Sequence, residues 1–224
     1  MTDHPGSDAI TITLAAKGDG QTAAALGALA LSDHTQSPQA PLSSLADAID
    51  EHGGRVALPY GKGHCLTARN GSTITGMLYT TPPIRWLQGQ SADQRARLTQ
   101  ALIEIELLAV FEPYRNRGIG TALLETAEHT ARNAGTHLAL AKIRTGAFPT
   151  MRWYRRRGYT IAGQSEPVVF RTHQGFASCD DGSDGHQLAV KALHSGSTVR
   201  RHTAGGATCL IVEHTTQPSA TRQP

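Results

Sequence analysis

The chain is short of cysteine, of lysine and of long apolar runs, and each shortage excludes something. Its three cysteines, Cys65, Cys179 and Cys209, are far apart. An odd, scattered set does not make a disulfide framework and fits reduced thiols in a cytoplasmic setting. Only four lysines, Lys17, Lys62, Lys142 and Lys191, stand among many arginines, which reads as the coding bias of a GC-rich bacterial genome. The formal net charge is +3. That accommodates an anionic ligand but falls short of the broad basic surface that nucleic acid requires. No apolar run approaches the roughly 20 residues that span a bilayer. Met1 to Asp8 is polar and shows no secretory signal, so no membrane partner is expected. The eleven histidines show no zinc-type spacing with a second ligand pair, so no metal is expected.

What is present is enough for one medium domain with a tail, 224 residues in all. Residues 1–9 read as a flexible N-terminus. Ile10, Ile12 and Leu14 alternate as a strand should, Ala23 to Leu31 is helical, and Ser32 to Pro41 is a turn-rich linker. Leu42 to His52 is a second helix stopped by Gly53-Gly54. Gly63 to Arg69 and Ser72 to Thr80 form a hairpin across Asn70-Gly71. Residues 84–100 are a polar excursion with a short helix. A strongly apolar strand follows at 104–111, then a helix from Ile119 whose Ile119, Leu123, Leu124, Ala127 and Ala131 make one face. Thr121, Glu125, Glu128 and Arg132 fall on the other face, and Gly135 caps the end.

Strands are expected at Leu138 to Ile143, Tyr159 to Ala162, Pro167 to Phe170 and Gln187 to Leu193, with a helix at Pro149 to Arg157. Ser178 to Gly185 reads as an acidic loop carrying Asp180, Asp181 and Asp184. Ser195 to Gly206 reads as a linker and Cys209 to Val212 as a last strand. Strands alternate with helices, so the fold class is α/β or α+β. The domain is expected over 10–194, with 195–224 as a C-terminal extension of one strand and a tail.

The centre of the chain carries the chemistry. The strand 104–111 feeds Glu112-Pro113-Tyr114 and then Arg115-Asn116-Arg117-Gly118-Ile119-Gly120, which opens the helix. A helix start offers backbone N–H groups without intrahelical acceptors, together with the positive end of the helix dipole. An anion suits that point, and glycines let it come close to the backbone. Downstream stands Trp153-Tyr154-Arg155-Arg156-Arg157-Gly158-Tyr159.

Taken together, these segments resemble the GNAT superfamily of acetyl-CoA-dependent N-acetyltransferases. Its phosphate turn, Arg/Gln-x-x-Gly-x-Gly/Ala, is matched by Arg115, Gly118 and Gly120. Its upstream small residue, valine and proline are matched by Ala109, Val110 and Pro113, and its aromatic-Tyr-x-x-x-Gly-Phe/Tyr motif by Trp153, Tyr154, Gly158 and Tyr159. The resemblance covers residues 104–163. It implies a mixed, twisted sheet flanked by helices, with the parallel strands 104–111 and 138–143 splayed apart. It also implies acetyl-CoA as cosubstrate, its arm bonded to the backbone near Leu108, Ala109 and Val110. The pyrophosphate would then rest on Arg115, Asn116, Arg117, Gly118, Ile119, Gly120 and Thr121.

The same resemblance makes Tyr154 the acid for the leaving thiolate. Glu104 matches the glutamate of the histone-acetylating members, and Glu106, two residues on along a strand, points to the same face. A base is useful because an amine of pKa about 10.4 is neutral only about one part in a thousand near pH 7.4. Two departures stand out: Ala147 replaces an asparagine common in the family, and Lys142 a glutamate of some members. The expected acceptor is a small-molecule primary amine such as an amino sugar, a polyamine or an amino acid derivative. The alternatives are a protein N-terminus or lysine, or a non-catalytic acetyl-CoA-binding module. Homodimers are frequent in the family and are an expectation of the same kind.

Overall fold

The computed structural model describes residues 9–31, 42–172, 175–179 and 185–214. The chain divides into two compact units. One comprises Met1–Thr99 with Ile103–Asn133, the other Gln100–Leu102 with Ala134–Pro224.

The first unit is built on antiparallel strands β1 (Thr11–Leu14), β2 (Arg55–Leu58), β3 (Gly61–Asn70), β4 (Thr73–Thr81) and β5 (Leu102–Val110). The order is β1-β3-β4-β5, with β2 also on β3. Its helices are α1 (Gly20–Leu31), α2 (Leu42–His52), α3 (Ile84–Gln88), α4 (Ala92–Ala101) and α5 (Ile119–Asn133). The bounds of α4 and β5 run past the unit boundary. The polar excursion expected at 84–100 thus holds two helices instead of one, and β2 is a strand that the sequence pattern does not announce.

Helices α1 and α2 bury Ala23, Leu26 and Ile49 against Cys65, Met77, Tyr79, Leu107 and Ala109 of the sheet. Gly27 lets α1 lie close: a Cβ there would stand 3.2 Å from Leu107 Cδ1. Helix α5 buries the apolar stripe read from the sequence. Glu128, expected on its polar side, is buried at 4% exposure. It follows Leu124 by one turn and so flanks the stripe. The hairpin turn also differs by one residue. Asn70 still pairs with Thr73, so Gly71 (φ 59°) and Ser72 make the turn.

The second unit contains β6 (Leu138–Arg144), α6 (Phe148–Arg155), β7 (Thr160–Ile161), β8 (Val168–Thr172), β9 (Gly175–Cys179), β10 (His186–Ala192), β11 (Ser197–Ala204) and β12 (Ala207–His214). Strand β10 runs antiparallel to both β6 and β7. A separate sheet has the order β11-β12-β8-β9, in which β12 is parallel to β8. The run read as a linker, Ser195 to Gly206, therefore contains β11. Among its side chains only Val199 is a large aliphatic one, so no apolar alternation marks it. It is held by eight register pairs to β12 across Gly205-Gly206, both with positive φ, the turn chemistry of a tight hairpin. Asp180, Asp181 and Asp184 lie outside the described residues.

Glu166 ties this unit together. Its side chain is 3% exposed. It accepts hydrogen bonds from Arg201 Nε at 2.7 Å, from Arg201 Nη2 at 2.8 Å and from the Gly163 N–H. Arg201 also donates to the Ile161 carbonyl at 3.0 Å. The Arg201 hydrogen bond holds the Glu166 carboxyl below its usual range, against burial, which acts the other way. A carboxyl whose folded pKa is depressed adds stability above its unfolded pKa and loses it as pH falls through the folded value. Chemical denaturation should therefore show stability falling below about pH 4.3, the ordinary glutamate value, and Glu166→Gln should flatten that dependence.

Candidate active site

Strand β5 supplies the first group of site residues. Leu108 stands opposite Leu78 and Val110 opposite Gly76. Phe111 extends the ladder by donating to the Thr75 carbonyl at 2.9 Å. Gly76 sits in a crowded place: a Cβ there would lie 3.0 Å from the Ala109 carbonyl oxygen and 3.3 Å from Leu123 Cδ1 of α5. The end of β5 and the first turns of α5 are thereby held close.

The register slips once on this ladder. Tyr79 opposes Leu107, but the next residue, Thr80, opposes Ile105. Glu106 is therefore the extra residue of a β-bulge, left out of the pairing. A bulge breaks strict alternation, and the two glutamates receive different surroundings. Glu104 opposes Thr81 and is buried at 6% exposure, whereas Glu106 is exposed.

Beyond Val110 a single 3-10 turn, Glu112–Tyr114, carries Pro113 in its first positions. Arg115 Nε donates back to the Val110 carbonyl at 3.0 Å, pinning the turn to the strand end. Asn116 (φ 61°) and Gly118 (φ 81°) are both left-handed, and the Gly118 carbonyl accepts from Ala122 N–H at 3.0 Å to start α5. Left-handed residues alternating with ordinary ones turn successive N–H groups to one side, making a concave nest for an anion. Residues 115–118 are exposed, and a Cβ on Gly118 would find nothing within 4 Å. The nest is open, and the residues present fit a diphosphate. Arg117 lies over the Tyr114 ring at 5.6 Å, which keeps its charge beside the turn. Ile119, Gly120 and Thr121 follow as the first helical residues.

Tyr154, the acid expected from the sequence, belongs to the second unit. It is buried at 6% exposure on α6, edge-on to Trp153 (4.9 Å) and to Tyr159 (5.0 Å). Pro149 in the first turn of α6 suits a helix start, and Gly158 (φ 83°) ends the segment. The basic run does not act as one block. Arg157 stacks on Trp153 at 3.7 Å and donates to its carbonyl at 2.8 Å, while Arg155 and Arg156 are exposed. Sequence reasoning did not foresee the Trp153–Arg157 stack, although an aromatic and an arginine four apart on a helix is its signature.

Among the described residues no three histidine, cysteine or acidic side chains gather where a metal could be held, and no helix is long and apolar enough to cross a membrane.

This arrangement has counterparts. Residues 30–159 match the profile of the acetyltransferase (GNAT) family. The chain belongs to that family. As a GNAT acetyltransferase it is an acyltransferase enzyme. No curated protein matches the sequence significantly, but solved structures share its fold at low identity. A GNAT-family acetyltransferase from Staphylococcus aureus Mu50 is 13% identical with a TM-score of 0.54, over 83% of this chain and 100% of that one. YncA from Salmonella typhimurium, solved with its cofactor acetyl-CoA, is 18% identical with a TM-score of 0.53, over 88% and 97%. The ribosomal-protein-S18-alanine N-acetyltransferase from Escherichia coli is 14% identical with a TM-score of 0.50, over 83% and 94%.

The turn makes a conformational demand that can be measured. Gly118→Ala meets no steric neighbour but must hold an L-residue at φ 81°, so it should cost about 1–2 kcal/mol, and Gly118→Asn less. Comparing the two by chemical denaturation checks this; equal stabilities would contradict it.

Proposed function

We propose that this GNAT acetyltransferase transfers the acetyl group of acetyl-CoA to a primary amine of a small molecule, by direct attack in a ternary complex. The observation that carries the reading is the open nest at Asn116–Gly118, placed between the apolar strand β5 and the start of α5. Acetyl-CoA supplies a thioester carbon that a neutral amine can attack. Arg115, Asn116, Arg117, Gly118, Ile119, Gly120 and Thr121 hold its pyrophosphate through backbone N–H groups and nearby charge. The backbone of Leu108, Ala109 and Val110 aligns its arm.

Glu106 takes the proton from the amine. A base must pass its proton to water after each turnover, and Glu106 is the exposed glutamate of β5. Glu104, buried one pair before the bulge, is the second candidate. The Tyr154 hydroxyl delivers a proton to the departing sulfur. The mild net charge and the replacement of the family asparagine by Ala147 favour a small acceptor. A peptide or protein amine is the runner-up, supported by the likeness to the S18-alanine enzyme. The domain is assigned to residues 10–194, and homodimerisation follows the habit of the family.

Thiol release from acetyl-CoA across kanamycin, spermidine, lysine and an alanine-terminated peptide, with mass-spectrometric detection of products, tests the reading. An N-acetylated small amine is expected. Acetylation of the peptide alone would move the acceptor to protein, and acetyl-CoA binding without transfer to any amine would make the chain a binding module. With the best acceptor, Tyr154→Phe should lower kcat by roughly a hundredfold or more. Comparing Glu106→Gln with Glu104→Gln identifies the base: only the true base should lose the acidic limb of the pH–rate profile.

A further inference from the structure

Strand β1 stands at the end of the strand order, paired with β3 through Thr11↔Arg69, Ile12↔Ala68, Thr13↔Thr67 and Leu14↔Leu66. One hydrogen bond sets the direction of its peptide groups. The Ala15 N–H donates to the Cys65 carbonyl at 2.9 Å, so Ala15 bonds inward to β3. Along an antiparallel pair, inward-bonding and outward-bonding residues alternate. Thr11 and Thr13 therefore bond inward as well, and Ile12 and Leu14 turn both N–H and C=O to the open side. Ala16 obeys the same alternation. Its N–H goes to the Asp19 carboxylate at 2.7 Å, and its carbonyl accepts from the Asp19 N–H at 3.1 Å. The open run thus ends at Leu14.

The side chains alternate too. Ile12 and Leu14 share the face of Ala68 and Leu66. That face carries α5, because Ala68 pairs with Gly76 and a Cβ on Gly76 would meet Leu123. Both are half-buried, and Ile10 before them is 37% exposed. Thr11 and Thr13 belong to the other face and are exposed. Charge, proline or a bulge ordinarily guards such an edge. The run Thr11–Leu14 carries no charge and no proline, and its register does not slip. The edge strand β11 differs: Arg200, Arg201 and His202 would crowd like charge in a ladder with its own copy.

We propose that β1 pairs antiparallel with β1 of a second copy of this chain about a two-fold axis at Ile12, joining two sheets edge to edge. In that register Ile12 exchanges hydrogen bonds with its counterpart and Ile10 with Leu14 of the second copy, so the outward peptide groups of the run are all used. On the α5 face Ile10, Ile12 and Leu14 of both copies make one apolar row. On the other face Thr11 opposes Thr13 of the second copy, and the reverse, a favourable pairing. An axis at Thr13 would instead set Ile10 against Ala16, whose peptide groups Asp19 already holds. The neutral run is the argument for a second copy: it sets no like charges together and offers no charge to a foreign partner. So narrow a strip falls below the roughly 1,200 Å² of standard interfaces, and the dimer is weak and concentration-dependent. The proposal gives a surface to the homodimer proposed above and rests on it.

Analytical ultracentrifugation of the full chain across micromolar concentrations tests this with two variants that differ at one residue. Thr11→Glu with Thr13→Glu sets carboxylates against each other and should raise the dimer Kd by roughly two- to thirtyfold. Thr11→Glu with Thr13→Lys sets opposite charges together and should lower it by a similar factor. Both positions are exposed, so the fold should survive, which circular dichroism checks. Mixing Thr11→Cys protein with Thr13→Cys protein under mild oxidation should give an 11–13 disulfide, identified by mass spectrometry. Facing residues of a non-hydrogen-bonded pair stand about 4.5 Å apart at Cα, within disulfide reach. A dimer that ignores both charge variants and gives no 11–13 cross-link overturns the surface and leaves homodimerisation standing. A chain that stays monomeric throughout overturns both. Hydrogen exchange adds a further check: the Ile12 and Leu14 amides should exchange fast in dilute protein and slowly in concentrated protein. Slow exchange in the monomer would mean that the chain covers its own edge, and overturns the proposal.

Discussion

The slip in the β4–β5 ladder sets the surroundings of the two glutamates of β5 and the packing of the strand that carries them. A regular antiparallel pair would assign every second residue of β5 to the same face and the same surroundings. Because Tyr79 pairs with Leu107 and Thr80 with Ile105, one residue is left over, and that residue is Glu106. The bulge therefore settles three matters together. It exposes one carboxylate while Glu104 stays buried. It keeps Leu107 and Ala109 in the core beneath α1 and α2. And it sets the phase with which β5 reaches Val110, whose carbonyl then anchors Arg115. Moving the slip by one residue would exchange the surroundings of the glutamates and turn the apolar side chains away from their packing partners.

At the proposed anion turn the geometry constrains backbone more than side chains. The N–H groups are aimed by two left-handed residues and by the start of α5, and the strand behind them is fixed by a ladder. Such a device demands little of sequence beyond glycine or asparagine at the left-handed positions and a small residue where chains approach, as at Gly76. That explains how structures 13–18% identical share the fold. Motif and geometry meet at Gly118, which is left-handed, and at Arg115, which is bonded to the Val110 carbonyl, whereas the left-handed Asn116 and the close approach at Gly76 lie outside the motif.

Other features were illegible for reasons equally physical. The separation of Glu104 from Glu106 depends on register, which no local pattern specifies, so the two looked equivalent. Strand β11 is held by backbone pairing to β12, and its side chains, Thr198, Arg200 and His202 among them, carry no apolar alternation. The Gly205-Gly206 turn was the signal available, and it was absorbed into the expected linker. Glu128 was assigned to the polar face because helical spacing gives angles and not the width of the buried stripe. The helices α1, α2 and α5 carry a helical period of burial, while the strands β4 and β6 are short, almost wholly buried runs bounded by turn residues, and these patterns are what the sequence displays.

The second unit solves a different problem, that of holding a polar group in an enclosed place. Tyr154 sits between two aromatic edges, which hold its ring from two sides. Trp153 is in turn pinned by Arg157 through stacking and a hydrogen bond to its carbonyl, so the guanidinium serves the ring and not the solvent. Lys191 approaches Tyr159 at 5.4 Å, which places a cation on the far neighbour as well. A tyrosine used as an acid must present its proton in one direction at each turnover, and rotation of the ring about its own axis does not move the hydroxyl oxygen. What must be prevented is swinging of the ring as a whole, and edge contacts on two sides oppose that motion. The aromatic-Tyr-x-x-x-Gly-Tyr pattern thus has a mechanical reading: one aromatic beside the proposed acid in sequence, a left-handed glycine at 158 to reverse the chain, and a second aromatic returned against it.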